Sequence, residues 1–404
     1  MKCRFCNTPL DLVFADLVNS PPSNSFLTEN ELNEPEVFYP LKTYVCDECK
    51  LVQIDEYKKS DDIFSSNYVY FSSFSNSWLE HAKKYVEDIS TKLDLKPTSF
   101  VTEIASNDGY LLQYFKEKNI PCLGIEPTSS TAAVAKGKGI DVVEDFFGSK
   151  LALNLKKSDL ILGNNVLAHV PDINDFVRAL KIALKDSGTI TMEFPHLMNL
   201  IKDNQFDTIY HEHFSYLSLC TVKQIFEAQD LKLYDVEKIS THGGSLRIYA
   251  THSDNTSLKE TENISSILEE ERNFGLLDIN VYKEFQERAN KVKCDLVEFL
   301  LKAKKENKKV VAYGAAAKGN TLLNYAGVKA DLIEFVVDKS PYKQGLYLPG
   351  SHIPVVSEEV LRNSVPDYVL ILPWNIKDEV VTQLDYLRVN GCQFVVAVPS
   401  LEFV

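Results

Sequence analysis

The stretch SFVTEIASNDGYLLQYFKEK, residues 99–118, decides the fold, because an apolar strand, a turn of small residues and a helix follow one another within it. Gly109 in the turn can adopt a positive φ, and the helix after it offers unpaired N–H groups. About twenty residues past the turn, a second apolar strand, CLGIEP, ends in Glu126. Doubly wound nucleotide-binding folds hold ribose hydroxyls with a carboxylate at this strand tip. The pattern therefore predicts an α/β domain with a ribose-containing ligand.

The turn in this stretch does not have the GxGxxG spacing of dinucleotide-binding proteins. S-adenosylmethionine contains a ribose and no phosphate, so it fits the turn better than a dinucleotide does. A generic βα turn without a ligand is the alternative. If the cofactor binds here, we expect it to contact residues of the first strand, the turn and the second strand tip: Glu103, Ala105, Asn107, Asp108, Gly109 and Glu126.

Two further apolar strands end in polar side chains. DLILGNNVLAHV (159–170) carries Asn165 and His169, and GTITMEFP (188–195) carries Glu193 and is followed by His196. Ligands of open α/β sheets bind beyond the carboxyl ends of the strands, so we expect these side chains to converge on one cleft. For His169 the alternative is that it caps the helix predicted after Pro171.

The segment IYHEHFSY, residues 209–216, places two imidazoles, a carboxylate and two phenols within eight residues. Histidine takes and gives a proton near neutral pH, and Tyr and Glu are natural orienting partners. In an extended segment His211 and His213 would share one face. A metal site or a pair of surface histidines is the alternative. The segment predicts proton-transfer chemistry close to the predicted cleft.

Two CxxC pairs, Cys3 with Cys6 and Cys46 with Cys49, predict a tetrahedral zinc site with four thiolate ligands. Because protein ligands fill all four positions, such a site is structural. Unrelated thiols or a redox pair are the alternatives.

The C-terminal part repeats the strand–turn–helix pattern in KKVVAYGAAAKGNTLLNYA, residues 308–326, and three further apolar strands follow it. Lys318 and the start of the predicted helix suit a phosphate group. Asp338 ends the next strand, as Glu126 does in the central part. We expect a second Rossmann-like domain, with a structural domain that binds no ligand as the alternative.

The chain has 404 residues, more than one hydrophobic core usually fills, so two or three domains are expected. Its 43 basic and 57 acidic residues give a formal charge of −14, which argues against a nucleic-acid surface. The sequence has no run of 18 apolar residues, and MKCRFCNTPL lacks the pattern of a signal peptide. We expect a cytoplasmic protein with no nucleic-acid or membrane partner.

The motifs taken together resemble the zinc-containing sugar C-methyltransferases, which act on nucleotide-linked keto-deoxysugars. The resemblance covers nearly the whole chain in the same order. It is carried by the two CxxC pairs and by YVYFSSFSNSW, EIASNDGYLL, NNVLAHVPD, FDTIYHEHFSY, HGGSLRIY and YGAAAKGNT.

This resemblance implies a zinc-binding domain (1–60), a methyltransferase domain with a preceding lid (61–255) and a C-terminal Rossmann-like domain that helps to bind the nucleotide sugar (256–404). It implies His213 as the base, with Tyr210 and Glu212 beside it and His169 in the same site. Tyr70 and Ser73 resemble the segment that lines the cofactor and sugar. Substrate contacts are expected from Tyr216, Glu193, His196, Lys318 and Asn320, although His196 stands where a tyrosine is expected.

The predicted reaction transfers a methyl group from S-adenosylmethionine to a carbon next to a sugar ketone. An O-methyltransferase acting on a sugar hydroxyl is one alternative, because it needs the same cofactor pocket and a base but no ketone. A non-catalytic zinc-dependent scaffold is the other. The sequence does not distinguish a monomer from a dimer.

Overall fold

The computed structural model describes residues 1–58 and 71–404, and the chain forms three β-sheets flanked by helices. The predicted α/β fold class is confirmed. The strands are β1 (Leu12–Ser20), β2 (Tyr39–Val45), β3 (Val52–Ile54), β4 (Val101–Ile104), β5 (Cys122–Ile125), β6 (Asp141–Val143), β7 (Ser158–Asn164), β8 (Leu184–Pro195), β9 (Ser215–Tyr216), β10 (Leu231–Ile239), β11 (Ser245–His252), β12 (Val310–Tyr313), β13 (Val336–Val337), β14 (Val355–Val356), β15 (Tyr368–Ile371), β16 (Gln393–Val396) and β17 (Glu402–Phe403).

The central sheet has seven strands in the order β10-β11-β8-β7-β4-β5-β6. Strands β4 to β8 run parallel, whereas β11 and β10 are antiparallel to their neighbours. From β4 the chain proceeds to β5 on one side and later returns to β7 on the other. The strand order therefore reverses between β4 and β7, which is where open α/β sheets form a ligand crevice.

Among the described residues, no helix is long and apolar enough to span a membrane. The first long helix begins at Asn76, because the Ser75 hydroxyl accepts a hydrogen bond from the Trp78 amide at 3.3 Å. The helices are α1 (Asn76–Lys92), α2 (Leu112–Glu117), α3 (Ser129–Gly137), α4 (Ser149–Ala152), α5 (Ile173–Ala183), α6 (Leu197–Lys202), α7 (Leu219–Glu227), α8 (Glu262–Phe274), α9 (Asn280–Lys283), α10 (Phe285–Lys305), α11 (Ala317–Ala326), α12 (Glu358–Asn363) and α13 (Lys377–Leu384).

The N-terminal sheet, in the order β1-β2-β3-β9, contains a strand from a distant part of the sequence. Strand β9 lies in the histidine segment (209–216) and pairs with β3, so that Tyr216 is opposite Val52 and Ser215 is opposite Gln53. The zinc-binding region and the central region therefore share one sheet. This pairing fixes the histidine segment relative to the N-terminal part of the chain.

The C-terminal sheet has the order β14-β13-β12-β15-β16-β17, and all of its strands except β17 are parallel to their neighbours. Strand β12 and helix α11 form the strand–turn–helix unit predicted from residues 308–326. The α11 helix also contacts the histidine segment, because the Thr321 hydroxyl donates to the Ile209 carbonyl at 2.9 Å.

Candidate active site

A cavity of about 1270 Å³ lies at the carboxyl edge of the central sheet. Nine of the predicted site residues line it: Ala105, Asn107, Glu126, Asn165, His169, Tyr210, Glu212, His213 and Lys318. The other predicted site residues that the structure describes lie outside this lining: Ser73, Glu103, Asp108, Gly109, Glu193, His196, Tyr216 and Asn320. Tyr70 lies outside the described residues.

One wall of the cavity is built around the Glu126 carboxylate at the tip of β5. Its two oxygens accept hydrogen bonds from the backbone amides of Asn107 and Thr128, each at 2.9 Å. Ala105 and Asn107 have positive φ values of 55° and 48°, so the turn after β4 is tightly folded. Burial raises the pKa of Glu126. The carboxylate thus holds two loops together at the strand tips.

The wall also presents polar atoms that could bind a ligand. The side-chain amide of Asn164 and the Oδ1 atom of Asn165 are buried, with no hydrogen-bond partner among the described residues. A buried polar atom without a partner is costly, and a bound molecule would supply the missing hydrogen bonds. A carboxylate and amide groups around a turn are chemically suited to the ribose and amino-acid parts of S-adenosylmethionine.

Two acidic residues near the turn, Asp108 and Glu103, do not line the cavity. Asp108 accepts a hydrogen bond from the Ser73 amide at 3.3 Å, which ties the start of the Ser72–Phe74 turn to the cofactor wall. Glu103 on β4 is fully buried, and burial together with Asp108 and Glu126 raises its pKa well above the ordinary value.

The cavity lining includes a hydrogen-bonded pair, Tyr210 and His213. The Tyr210 hydroxyl lies 2.9 Å from the Nε2 atom of His213, and the Nδ1 atom of His213 lies 3.1 Å from the Thr208 carbonyl oxygen. A carbonyl only accepts, so Nδ1 carries the proton and Nε2 accepts from the phenol. The ring of His169 is 4.6 Å from that of His213, centroid to centroid.

Both histidines of this cluster are neutral at physiological pH. Burial lowers the pKa of His213 well below 6.5, and the nearby His169 adds to the effect. Burial also lowers the pKa of His169, to about 4. A neutral imidazole has a lone pair available for a proton, so the cluster is in the state that a general base requires.

The expectation that His211 and His213 share a face is wrong. The chain turns here, with the His213 amide donating to the Tyr210 carbonyl at 2.9 Å, so the segment is not extended. His211 instead donates from Nε2 to the Pro40 carbonyl at 3.2 Å and packs against the ring of Tyr39. It lies outside the cavity lining, and the two imidazoles do not face one ligand.

Glu212 is fully buried and lines the cavity. Its Oε2 atom accepts a hydrogen bond from the Asn24 side-chain amide at 2.7 Å, and burial raises its pKa to about 7. Asn24 follows strand β1 in the N-terminal part, and the sequence alone gave no signal for it. Its contact shows that the N-terminal part completes the cavity.

Several predicted substrate contacts are taken up by other partners. Glu193 accepts from Arg247 Nε at 2.7 Å and lies 2.9 Å from His81 Nε2. His196 lies 2.7 Å from the Glu271 carboxylate, because the chain turns after β8 and directs this side chain into the core. Asn320 is also engaged away from the lining, where it donates to the Ser23 carbonyl at 2.6 Å. Tyr216 is buried on β9, opposite Val52, and does not line the cavity.

The C-terminal part contributes Lys318 in the first turn of α11. Its ammonium donates to the Asn375 side-chain oxygen at 2.7 Å and lies 4.7 Å from the ring centre of Trp374. The Trp374 indole N–H donates in turn to Asp207 at 2.8 Å. Burial raises the pKa of Asp207 to about 6. This chain of contacts joins the C-terminal sheet to the start of the histidine segment.

Asp338 at the end of β13 repeats the arrangement of Glu126. Its two carboxylate oxygens accept from the Ala315 and Ser340 amides, each at 2.8 Å. The two Rossmann-like sheets therefore secure their first turns in the same way. Asp338 does not line the cavity. Its hydrogen bonds hold the turn that precedes Lys318.

The four predicted zinc ligands come together in the structure. The sulfur–sulfur distances are 3.6 Å for Cys3 and Cys49, 3.5 Å for Cys6 and Cys46, and 3.7 Å for Cys6 and Cys49. Zn–S bonds of about 2.3 Å in a tetrahedron require sulfur–sulfur distances of about 3.8 Å. The cluster fits zinc, and within the described residues no other group of three or more such side chains could hold a metal ion.

Comparisons with known proteins agree with this geometry. Residues 3–64 match a zinc binding domain family of methyltransferases, residues 78–236 match the methyltransferase domain family, and residues 240–399 match the family described as C-methyltransferase C-terminal domain. The chain is 31% identical over 403 residues to the C-methyltransferase NovU from Streptomyces niveus. The aligned region covers 99% of this chain and 96% of NovU.

Solved structures show weaker likeness. Magnesium protoporphyrin IX methyltransferase (ChlM) from Synechocystis PCC 6803 with bound SAH is 14% identical, with a TM-score of 0.36, over 43% of this chain and 83% of its own. The CcbJ methyltransferase from Streptomyces caelestis is 11% identical, with a TM-score of 0.36, over 43% of this chain and 89% of its own. On the full-length similarity to NovU and the three matching domains, this chain belongs to the family of S-adenosylmethionine-dependent C-methyltransferases that carry a zinc-binding domain.

Proposed function

We propose that the protein methylates a carbon adjacent to the ketone of a nucleotide-linked sugar, by removal of a proton from that carbon and attack of the resulting enolate. The observation that carries the proposal is the Tyr210–His213 pair. A neutral, buried imidazole accepts a hydrogen bond from a phenol in the same cavity as the Glu126 wall. Carbon acids require a base of this kind, whereas the cofactor supplies an electrophilic methyl group.

Both nitrogens of His213 are already engaged, which defines how it can act. Nδ1 donates to the Thr208 carbonyl and Nε2 accepts from Tyr210. The proton therefore passes from the substrate carbon to the phenol oxygen of Tyr210 while the phenol proton moves to Nε2 of His213. The C–H bond breaks, its electron pair becomes the enolate, and the imidazolium later returns the proton to water.

His169 lies beside the proposed base. Its ring lies 4.6 Å from that of His213, centroid to centroid, and its side chain lines the same cavity. Burial lowers its pKa to about 4, so it remains neutral, and its imidazole is hydrogen-bonded to the Glu212 backbone. Its proposed role is to position the segment that carries Glu212 and His213.

Glu212 and Lys343 are the proposed contacts for the sugar. Both line the cavity, and Glu212 can both accept and donate a hydrogen bond because burial raises its pKa to about 7. Lys343 donates to the Ala315 carbonyl at 2.8 Å and has further N–H groups available. The resemblance of FDTIYHEHFSY and YGAAAKGNT to the sugar C-methyltransferases supports a nucleotide-linked sugar as the substrate.

A mass-spectrometric screen of keto-sugar nucleotides tests the proposal. The enzyme and S-adenosylmethionine should add one methyl group to at least one of them, and proton NMR should locate it on the carbon beside the ketone. Methylation of a hydroxyl oxygen instead would contradict the proposal and favour the O-methyltransferase alternative. Methylation of a sugar that carries no nucleotide, with no turnover of the nucleotide form, would contradict the substrate class.

A further inference from the structure

The turn before β11, Thr241–Gly244, is held in a conformation that few sequences adopt. His242 has φ 53° and ψ 28°, a left-handed conformation that is uncommon for a residue other than glycine. Gly243 and Gly244 follow with φ values of 85° and 105°. The Gly243 carbonyl accepts from Gln205 at 2.9 Å, and the Gly244 carbonyl accepts from the His196 amide at 3.1 Å. The surrounding structure therefore fixes the turn.

This rigid turn presents two polar atoms that lack partners. The Oγ1 atom of Thr241 and the Nε2 atom of His242 are buried, and neither has a hydrogen-bond partner among the described residues. Both residues line the cavity. Strained backbone and unpartnered buried polar atoms tend to occur together at binding sites, where a ligand satisfies them.

The same turn lies against the residues that hold Lys318. A Cβ atom on Gly243 would come within 2.5 Å of the Trp374 ring, so only glycine permits this approach. The Lys318 ammonium lies 4.7 Å from the centre of that ring. One of its three N–H groups is used by Asn375, which leaves two for a ligand. Burial lowers the pKa of His242 to about 4, and the Lys318 charge adds to this effect.

We propose that Thr241, His242 and Lys318 form an anion subsite that holds the diphosphate of the substrate. The inference rests on the proposed function, since the nucleotide-linked sugar supplies the diphosphate. A hydroxyl, an imidazole N–H at Nε2 and an ammonium group can each donate to phosphate oxygens. The subsite lies where the central and C-terminal parts meet, so it explains how a chain of charge −14 binds an anionic substrate.

The test measures binding of inorganic pyrophosphate to the full chain by calorimetry. Thr241→Val removes the hydroxyl at nearly constant volume, and His242→Asn removes the Nε2 donor with a residue that tolerates the left-handed conformation. Lys318→Met removes the charge. Each should weaken pyrophosphate binding by about tenfold or more, because hydrogen bonds to charged groups are involved. Lys150→Met, on the exposed face of α4, is the matched control and should bind as the wild type does.

Several outcomes decide the matter. If Lys318→Met weakens pyrophosphate binding but Thr241→Val and His242→Asn do not, the turn is not part of the subsite and the proposal is overturned. Loss of sugar-nucleotide affinity with unchanged pyrophosphate affinity in His242→Asn overturns it as well, since His242 then contacts the sugar. Affinity for S-adenosylmethionine should stay unchanged in all variants. If the three variants weaken pyrophosphate binding although no keto-sugar nucleotide is methylated, the anion subsite stands and only the proposed function fails.

Discussion

Arg4, which lies between the first two zinc ligands, donates from Nη1 to the Pro171 carbonyl at 2.8 Å. Its guanidinium carbon is also 5.4 Å from the ring centre of Phe214. Pro171 lies two residues after His169, and Phe214 directly follows His213. The zinc site therefore fixes one arginine against both segments that carry the central histidines.

The first prediction concerns the metal. The purified protein should contain one zinc ion per chain. Cys46→Ser should lower both the zinc content and the thermal stability, because it removes one thiolate ligand and zinc binding contributes to the free energy of folding. Metal analysis and thermal unfolding measure the two effects. Cys294→Ser, at an exposed cysteine outside the cluster, is the control. A metal-free preparation that is folded and fully active, with all four thiols titratable, would contradict this prediction.

The second prediction concerns Glu126. Its carboxylate accepts from the amides of Asn107 and Thr128, so Glu126→Ala should remove both the proposed ribose contact and the support of the turn. Binding of S-adenosylmethionine should weaken by about 1.5–3 kcal/mol, the range for hydrogen bonds to charged groups. Calorimetry measures the change. Glu144→Ala, an exposed carboxylate shortly after β6, should leave the affinity unchanged, and equal affinity in both variants would refute the assignment.

The sequence predicted the parts of the fold that depend on local pattern. The strand–turn–helix unit at residues 99–118 and the carboxylate at Glu126 follow from periodicity and from the position of strand ends. The same reasoning placed Asp338 at a second strand tip, where it accepts the Ala315 amide. Each of these features is determined within a few tens of residues, so a single sequence contains enough information.

The features that the sequence did not predict depend on contacts between distant residues. His196 is drawn into the core by Glu271, 75 residues further along the chain, and Asn24 reaches Glu212 across 188 residues. The turn in the histidine segment is anchored by the contact of Ile209 with Thr321 of α11. No periodicity in a single sequence records such pairings. Local reasoning therefore placed His213 in the cavity lining but gave the wrong direction for His211.

The third prediction uses the buried position of His211 to test the pH dependence of stability. Burial lowers its pKa from 6.5 to about 4 in the folded protein. The unfolded chain binds this proton more tightly, so the folded state is penalised as the pH falls from about 6.5 towards 4. Relative to His211→Phe, the wild type should lose up to about 1.4 kcal/mol of unfolding free energy per pH unit in this window.

Chemical denaturation at several pH values measures this difference. The wild type is compared with His211→Phe because Glu212 and Asp207 have raised pKa values. Their protonation in the folded protein increases the unfolding free energy as the pH falls, opposite to the effect of His211. These groups are present in both proteins and cancel in the difference. A difference in unfolding free energy that does not vary between pH 6.5 and 4 would show that His211 is not buried as a neutral group.

The last prediction distinguishes direct from relayed proton transfer. His213→Asn should bind S-adenosylmethionine and sugar nucleotide nearly as the wild type does, yet lose on the order of 10²–10⁴ in turnover, the usual contribution of a positioned base. Because Tyr210 occupies the lone pair of Nε2, Tyr210→Phe should show a loss of the same order. Tyr368→Phe, in the C-terminal sheet, is the control.

Deuterium exchange shows the proton-transfer step by itself. With S-adenosylhomocysteine and a keto-sugar nucleotide bound in D₂O, the wild type should introduce deuterium at the carbon beside the ketone without methyl transfer. Both His213→Asn and Tyr210→Phe should abolish the exchange if the proton travels through the phenol. Exchange that persists in Tyr210→Phe but not in His213→Asn would mean that the phenol moves aside and the imidazole removes the proton directly. Exchange that persists in both variants would assign the base to His169, whose ring lies 4.6 Å from that of His213.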